Sequence, residues 1–492
     1  MSDARRVRVA VIGVGAAGLA MAFALSKRLG DVFDLTLFDP SFQREHRVAR
    51  GFPYLADHAE PLVNAPARMM SVMPGDAEHF LRWMSRTRDP VVGRDIYVSR
   101  PTFGSYLRDS FAEVRHIWNS RAGLLHCVPE EVVELSEVSG RYTLGTSAAT
   151  YFGFDHVILC VGWNTIGGNA AGDRIAAYPL TVALDRALES DHVGIIGTGL
   201  TSVDLIRALL TGGFRGHISA ASRRGLLPSA RNEAGSVKLA LYTRRALKDR
   251  DRMSLKESLR LLRAEADVQG VDLSVPIGMM RGIQNSSQHI DYLNSSLHDD
   301  WSDLFVKLCD EIACDTWNLF DAANRRAFRQ IVHPYFQAWS NPMPPTTAQL
   351  VRDAIASGQL EVRSGLMRVD ARDFVFEDGT RAPMQVVVDA SRSATSPIAS
   401  TETPLLLSLL SNGRAMRDAF GGVRVTYGTW EVLSESGLGQ NVYAVGSLTQ
   451  GARYYVSALD SIVRAVSEVA ETIGRRLPIG LPATAKVDTG RA

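Results

Sequence analysis

The chain has 492 residues, and its 54 Lys and Arg against 53 Asp and Glu leave a formal net charge of +1. That balance supplies no global field to gather nucleic acid or an anionic membrane surface, and the length allows two or three domains with sizeable cores. Cys127, Cys160, Cys309 and Cys314 form no C-x-x-C pair, and no Cys/His cluster has zinc-ligand spacing, so the sequence predicts no dithiol centre, no metal, reduced thiols and a cytoplasmic location.

The chain opens on a strand–turn–helix unit. Val7, Val9, Val11 and Ile12 are β-branched, Gly13, Gly15 and Gly18 make G-x-G-x-x-G, and Leu19 to Leu25 continue as an apolar helix. Gly13 allows the sharp turn, Gly15 lets the backbone approach a pyrophosphate, and Gly18 lets helix pack against strand. Phosphates then sit at the helix N-terminus, where free N–H groups and the dipole favour an anion. A second strand, Phe33 to Phe38, ends at Asp39, placed to accept a ribose hydroxyl, which favours FAD or NAD over NADP at this first site. A signal peptide or membrane anchor is the competing reading, because Arg5, Arg6 and Arg8 precede the apolar stretch. The three glycines and the lack of an A-x-A-like cleavage site argue against it.

Turn formers crowd residues 43–71, which read as a long loop beside the first nucleotide site. Helices are predicted at Ala77 to Ser85 and Arg100 to Ile117, a strand at Leu124 to Val128, a small antiparallel meander over residues 132–154, and a buried strand at Val157 to Val161 that ends at Gly162. A second nucleotide turn follows. Val193 to Ile196 is the strand, Gly197-Thr198-Gly199-Leu200-Thr201-Ser202 the turn, with Ser202 small enough to replace the third glycine, and Val203 to Leu210 the helix. The next strand, His217 to Ala221, ends in Ser222-Arg223-Arg224 instead of an acid. Arginines there suit a 2′-phosphate, which points to NADPH; the alternative is a solvated basic turn.

From residue 234 to 350 the pattern turns helical, with Leu255 to Ala264 one helix and Trp301, Leu304, Phe305, Leu308 and Ile312 on one face of another. These residues are assigned to packing. Strands return at Leu360 to Arg363, Met367 to Ala371, Phe374 to Phe376 and Gln385 to Val388. A final strand, Val442 to Val445, leads through Gly446 and Gly451 into an amphipathic helix, Ser457 to Ile473. The predicted class is α/β: two Rossmann-like dinucleotide-binding domains, one inserted in the other, with a helical insertion. Residues 1–165 and 392–492 are assigned to FAD, 190–233 and 351–391 to NAD(P)H, and 234–350 to the cap.

The two turns, the stretch Asp155 to Trp163 and Val445-Gly446-Ser447 resemble the two-dinucleotide flavoproteins. Within them, Leu62 to Ser71 with Phe80-Leu81-Arg82-Trp83, Arg100 to Leu107, and Ile195 to Asp204 with Ser222 to Pro228 resemble the bacterial FAD/NAD(P)-binding protein family. Asp155 to Trp163 is also similar to the D-x-x-x-L-A-T-G-Y signature of class B monooxygenases and N-hydroxylases, with Ala, Thr and Tyr changed to Cys160, Val161 and Trp163. The Baeyer–Villiger fingerprint F-x-G-x-x-x-H-x-x-x-W is absent, Ser447 stands where the family carries an acid, and the exit Trp339 to Pro345 lacks a His-Arg pair.

The resemblance implies FAD at the first turn, with Val128, Gly162, Gly446 and Gly451 beside it, and NAD(P)H at the second; Asn64 and Ser71 would face the flavin or else cap local turns. The expected activity is an NADPH-consuming monooxygenase that works through a C4a-hydroperoxyflavin on O2 and a small molecule, preferably at an amine or amino-acid nitrogen. No catalytic acid or base is assigned, and no nucleic-acid or membrane partner is expected. An NAD(P)H:acceptor reductase and a redox-silent nucleotide-binding protein are the other readings.

Overall fold

The computed structural model describes residues 6–30, 33–55, 61–87, 93–121, 123–162, 174–232, 235, 237–283, 285–391, 403–437 and 441–477. Trp163 and the predicted domain limits at 165 and 392 lie outside them. Two parallel five-stranded sheets organise the chain. In the first, the order is Val442–Ala444, His156–Leu159, Val7–Ile12, Phe33–Phe38, Leu125–Val128. Val9, Val11, Leu35, Leu37 and Val157 to Leu159 are completely buried, with helix Ala16–Leu29 and the antiparallel strands that carry Tyr151 and Phe154 packed on the sheet, which is why these strands read as continuous apolar runs.

Helix Ala16–Leu29 starts at Gly15, which offers no side-chain cap, and stops at Gly30, whose φ is +61°. Lys27 and Arg28 in its last turn complement the helix dipole. It packs along the last helix, Leu459–Arg476, whose Val466, Val469, Ala470 and Ile473 repeat at helical spacing and are 0–1% exposed. The sequence and the fold agree here because one amphipathic stripe has one sheet to cover.

The second sheet runs Leu360–Arg363, His217–Ala221, His192–Ile196, Val386–Asp389, Ile175–Ala176. Its edge strand Ile175–Ala176 and the helix Leu180–Leu188 lie before residue 190, where the sequence placed the start of this unit. A strand of two residues carries no legible periodicity, so this edge is set by the sheet and not by local pattern. Antiparallel three-stranded meanders flank both sheets, at Val132–Phe154 and Leu366–Pro383.

The residues between 234 and 350 are helical as predicted, with Leu255–Gln269, Ser286–His298, Trp301–Leu319, Ala322–Ala327 and His333–Ser340 among them. Ser254 and Glu257 close a capping box at the first, and Gly270 ends it in the left-handed region. The helices share one core with the second sheet, in which Trp301, Leu304, Phe305, Leu308 and Ile312 are all 3% exposed or less. They also reach the first domain: the Trp317 indole N–H donates to the Gly451 carbonyl at 2.8 Å, and its ring stacks on Tyr454 with centroids 5.2 Å apart. No helix among the described residues is long and apolar enough to cross a membrane.

His156 is 5% exposed at the foot of the first sheet, and burial, opposed by Asp155, pulls its pKa down to about 4. The unfolded chain, with an ordinary imidazole, therefore binds more protons between about pH 6.5 and 4. Stability from this group is intact above pH 6.5 and falls as the pH drops through that window, by about 3 kcal/mol at pH 4. His156→Gln is expected to flatten the acid limb of a plot of unfolding midpoint against pH; an unchanged limb would exclude His156 as its source.

Candidate functional site

The first turn is built as its glycines require. Gly13 has φ +90°, and a Cβ there would lie 2.7 Å from the Cys160 carbonyl oxygen. A Cβ on Gly18 would lie 2.0 Å from the Gly13 carbonyl oxygen. Around Gly15 the nearest atom to such a Cβ is the Gly51 Cα at 3.4 Å, so the surface there is backbone only. Asp39 does more than wait for a ribose. Its Oδ2 accepts the Val14 N–H at 2.6 Å and its Oδ1 accepts the Ser41 N–H at 2.7 Å, while its own N–H donates to the Val128 carbonyl at 3.1 Å. The carboxylate thus ties the turn to the second strand and keeps a lone pair on each oxygen for a hydroxyl donor.

Gly162 and Gly446 follow the carboxyl ends of neighbouring parallel strands, and a Cβ on either would meet nothing within 4 Å. Open backbone at the carboxyl edge beside a glycine turn is where this architecture receives a nucleotide. The buried Nε of Arg50, next to Gly51, has no hydrogen-bond partner among the described residues. These features fit FAD, with Gly13, Gly15, Asp39, Gly162 and Gly446 to hold it. Gly451 does not belong with them: a Cβ there would lie 2.1 Å from the Gly421 carbonyl oxygen, so its smallness serves packing. Ser71 also departs from its expected place. Its hydroxyl donates to the Asp76 carbonyl at 2.5 Å and accepts the Met73 N–H at 3.2 Å, which closes a local turn.

At the second turn, Gly197 has φ +105° and a Cβ there would lie 3.0 Å from the Ala390 carbonyl oxygen, while Gly199 faces open space at the start of helix Leu200–Thr211. Ser202 is fully buried beneath it. The Thr198 hydroxyl donates to the Leu226 carbonyl at 2.6 Å and lies 2.9 Å from the Ser222 hydroxyl, which accepts the Gly225 N–H. The turn is thereby locked to the loop that carries the two arginines. Their fates differ: Arg223 is exposed with no ion pair among the described residues, whereas Arg224 lies over the Tyr335 ring, 5.7 Å from its centroid. A cation–π contact holds Arg224 toward the insertion, so Arg223 is the freer partner for a 2′-phosphate.

A cavity of about 100 Å³ is bounded by the loop at Tyr54, Asn64 and Met70, by Arg231, Asp310 and Asn341, and by Tyr455 and Asp460. Asn64 and Arg100 continue from it into a smaller cleft against Leu200, Asp204 and Thr347. The Arg100 guanidinium bonds the Asp204 carboxylate at 2.8 Å, and the Tyr178 hydroxyl donates to the same oxygen at 2.6 Å. Arg100 and Asp204 side chains are 22% and 9% exposed. Burial opposes both charges, but the carboxylate beside it keeps Arg100 firmly protonated. This bridge joins the two nucleotide domains at the cavity mouth.

Asn64 is the one flavin-facing candidate that lines the cavity. The sequence alone gives Arg50, Arg231, Asp310, Tyr455 and Asp460 no site role, because they are single polar residues outside the nucleotide motifs; Arg100 lies in a stretch that resembles the family but likewise carries no assigned role. Among the described residues no group of His, Cys, Asp and Glu could hold a metal.

Two parallel Rossmann-like sheets, each with a strand that runs into a glycine turn, define the fold of the two-dinucleotide-binding flavoproteins. Residues 10–164 match the model of the FAD-NAD(P)-binding family, so that part of the chain is similar to it. No curated protein matches the sequence. Among solved structures, the ornithine N-hydroxylase of Kutzneria sp. 744 is 14% identical with a TM-score of 0.52, over 96% of this chain and 100% of that one. The L-lysine 6-monooxygenase of Pseudomonas syringae is 14% identical with a TM-score of 0.53, over 95% and 99%. The cadaverine monooxygenase of Erwinia amylovora, solved with FAD, is 13% identical with a TM-score of 0.52, over 99% of each chain. At these identities the likeness is one of fold.

Proposed function

We propose that this protein is an FAD-dependent, NADPH-consuming monooxygenase that hydroxylates the nitrogen of a small amine or amino acid. The observation that supports this reading is the cavity. It lies between the loop at Asn64 and the segments that carry Arg231, Asp310 and Asn341, and is walled by polar and carboxylate side chains without a cysteine pair. FAD, when bound, supplies the redox and oxygen-activating chemistry; the chain orients nicotinamide and substrate and keeps bulk water out. Asn64 offers an amide to the reacting region from the loop, and the Arg100–Asp204 bridge holds the two nucleotide units in register across it. Enclosure by the insertion favours a small substrate over a protein electron acceptor.

The test is NADPH oxidation by the purified yellow protein in air, followed together with peroxide release and hydroxylamine formation across a panel of amines and amino acids. Peroxide that falls as hydroxylamine appears supports the monooxygenase. NADPH oxidation that needs an artificial electron acceptor overturns it in favour of a reductase, and colourless protein that FAD does not restore favours the redox-silent reading.

Coenzyme choice has its own test. Arg223→Ala is expected to raise the KM for NADPH about tenfold, the value of a lost charge-assisted hydrogen bond, and to leave NADH nearly unchanged. Arg224→Ala should do less, because that guanidinium is held on Tyr335. Equal effects on both coenzymes would remove the 2′-phosphate assignment.

A further inference from the structure

Asp310 and Asp460 are 150 positions apart in the chain and line the same cavity. Asp310 comes from the middle of helix Trp301–Leu319, and Asp460 from the first turn of helix Leu459–Arg476. Among the described residues neither has a cationic nitrogen within ion-pair distance. The Tyr455 hydroxyl hydrogen-bonds the Asp310 carboxyl, Asp460, Arg231 and Lys307 are the charged groups that act on it, the Cys309 thiol adjoins, and the Arg464 guanidinium donates to the Asp310 backbone carbonyl at 3.3 Å. Arg231 stands in the same wall, and its wholly buried Nε has no hydrogen-bond partner among the described residues. A cavity whose carboxyls and guanidinium are left without mutual pairing is a surface finished by a polar ligand.

We infer that Asp310 and Asp460 form a proton-sharing carboxyl pair that receives the substrate's ammonium group and takes up its proton. This rests on the amine-hydroxylase reading and adds to it the residues that select and prepare the amine. The step is a proton transfer: an N–H bond of the ammonium breaks, an O–H bond forms on the pair, and the freed lone pair on nitrogen becomes the nucleophile. No electrons change hands. A protonated amine has no lone pair to attack oxygen, so a nearby acceptor whose pKa lies close to the working pH is what the chemistry needs. Burial together with the neighbouring Asp460 pushes the Asp310 carboxyl up to about 7, in the range where it can both bind a cation and accept its proton. Arg231 and Lys307 act the other way and keep the pair from staying neutral at all pH values.

The test is calorimetric titration of the oxidised, FAD-loaded protein, without NADPH, with n-pentylamine and with 1-pentanol as the uncharged control. Wild type should bind the amine about tenfold more tightly at pH 8 than at pH 6, as the pair ionises, and should bind the alcohol much more weakly at both. Asp310→Asn and Asp460→Asn, each checked for an unaltered flavin spectrum, should lose most amine binding and the pH dependence. Absence of amine binding to wild type, equal binding of amine and alcohol, or unchanged binding by both variants overturns the inference. Because the readout needs neither NADPH nor oxygen, binding as expected without hydroxylamine formation would instead count against the monooxygenase reading.

Discussion

Gly18→Ala is expected to give a chain that does not retain FAD through purification and unfolds at markedly lower denaturant than wild type. The added Cβ would sit 2.0 Å from the Gly13 carbonyl oxygen, with the Gly13 carbonyl carbon at 3.0 Å and a Val11 methyl at 3.5 Å. The first two obstacles are backbone, so no rotamer change relieves them, and helix Ala16–Leu29 must lift from the strand it covers. Such overpacking costs about 1–3 kcal/mol where side chains can yield and more where they cannot. The lift also withdraws the helix N-terminus from the Gly13–Gly15 backbone, which is the phosphate-binding surface. Flavin absorbance per protein and the denaturation midpoint read the two effects separately. A variant that keeps both would show that the close helix–strand approach is not required.

The second large effect is expected from Arg100→Ala. It leaves the Asp204 carboxylate, 9% exposed, with the Tyr178 hydroxyl as its remaining hydrogen-bond donor. Removing one member of a buried pair costs about 3–5 kcal/mol, because the other charge stays desolvated. Arg100→Ala with Asp204→Ala should recover a large part of that loss, since the double variant buries no unpaired charge. Chemical denaturation of the four proteins gives the coupling directly. Additive losses would mean that the bridge is not an energetic link between the domains. Because the bridge borders the cavity, the single variant is also expected to raise the KM for NADPH more than that for the amine.

The site shows why some predictions from the chain hold their residues and not their roles. Asp39 lies at the end of the second strand as its spacing predicts, and it also binds the backbone of the turn. Ser71 lies in the predicted loop, but a local carbonyl satisfies its hydroxyl. Gly451 is small for the sake of Gly421 and Trp317, partners that approach from elsewhere in the chain. Arg223 and Arg224 are adjacent in sequence and part company because Tyr335, more than a hundred positions away, offers a ring to one of them.

The sequence by itself determined the two nucleotide units, their order along the chain, the helical character of the insertion and the apolar face led by Trp301. These are consequences of local physics: β-branched runs buried on both faces, glycines forced by positive φ or by backbone contact, and helical periodicity. Only the tertiary structure decided that the insertion shares a core with the second sheet and touches the closing segment. It alone brought Asn64, Arg231, Asp310 and Asp460 to one cavity and joined Arg100 to Asp204. Single polar residues on separate elements leave no periodic trace, and their meeting depends on how the two sheets and the insertion pack, a long-range property that no window of sequence contains.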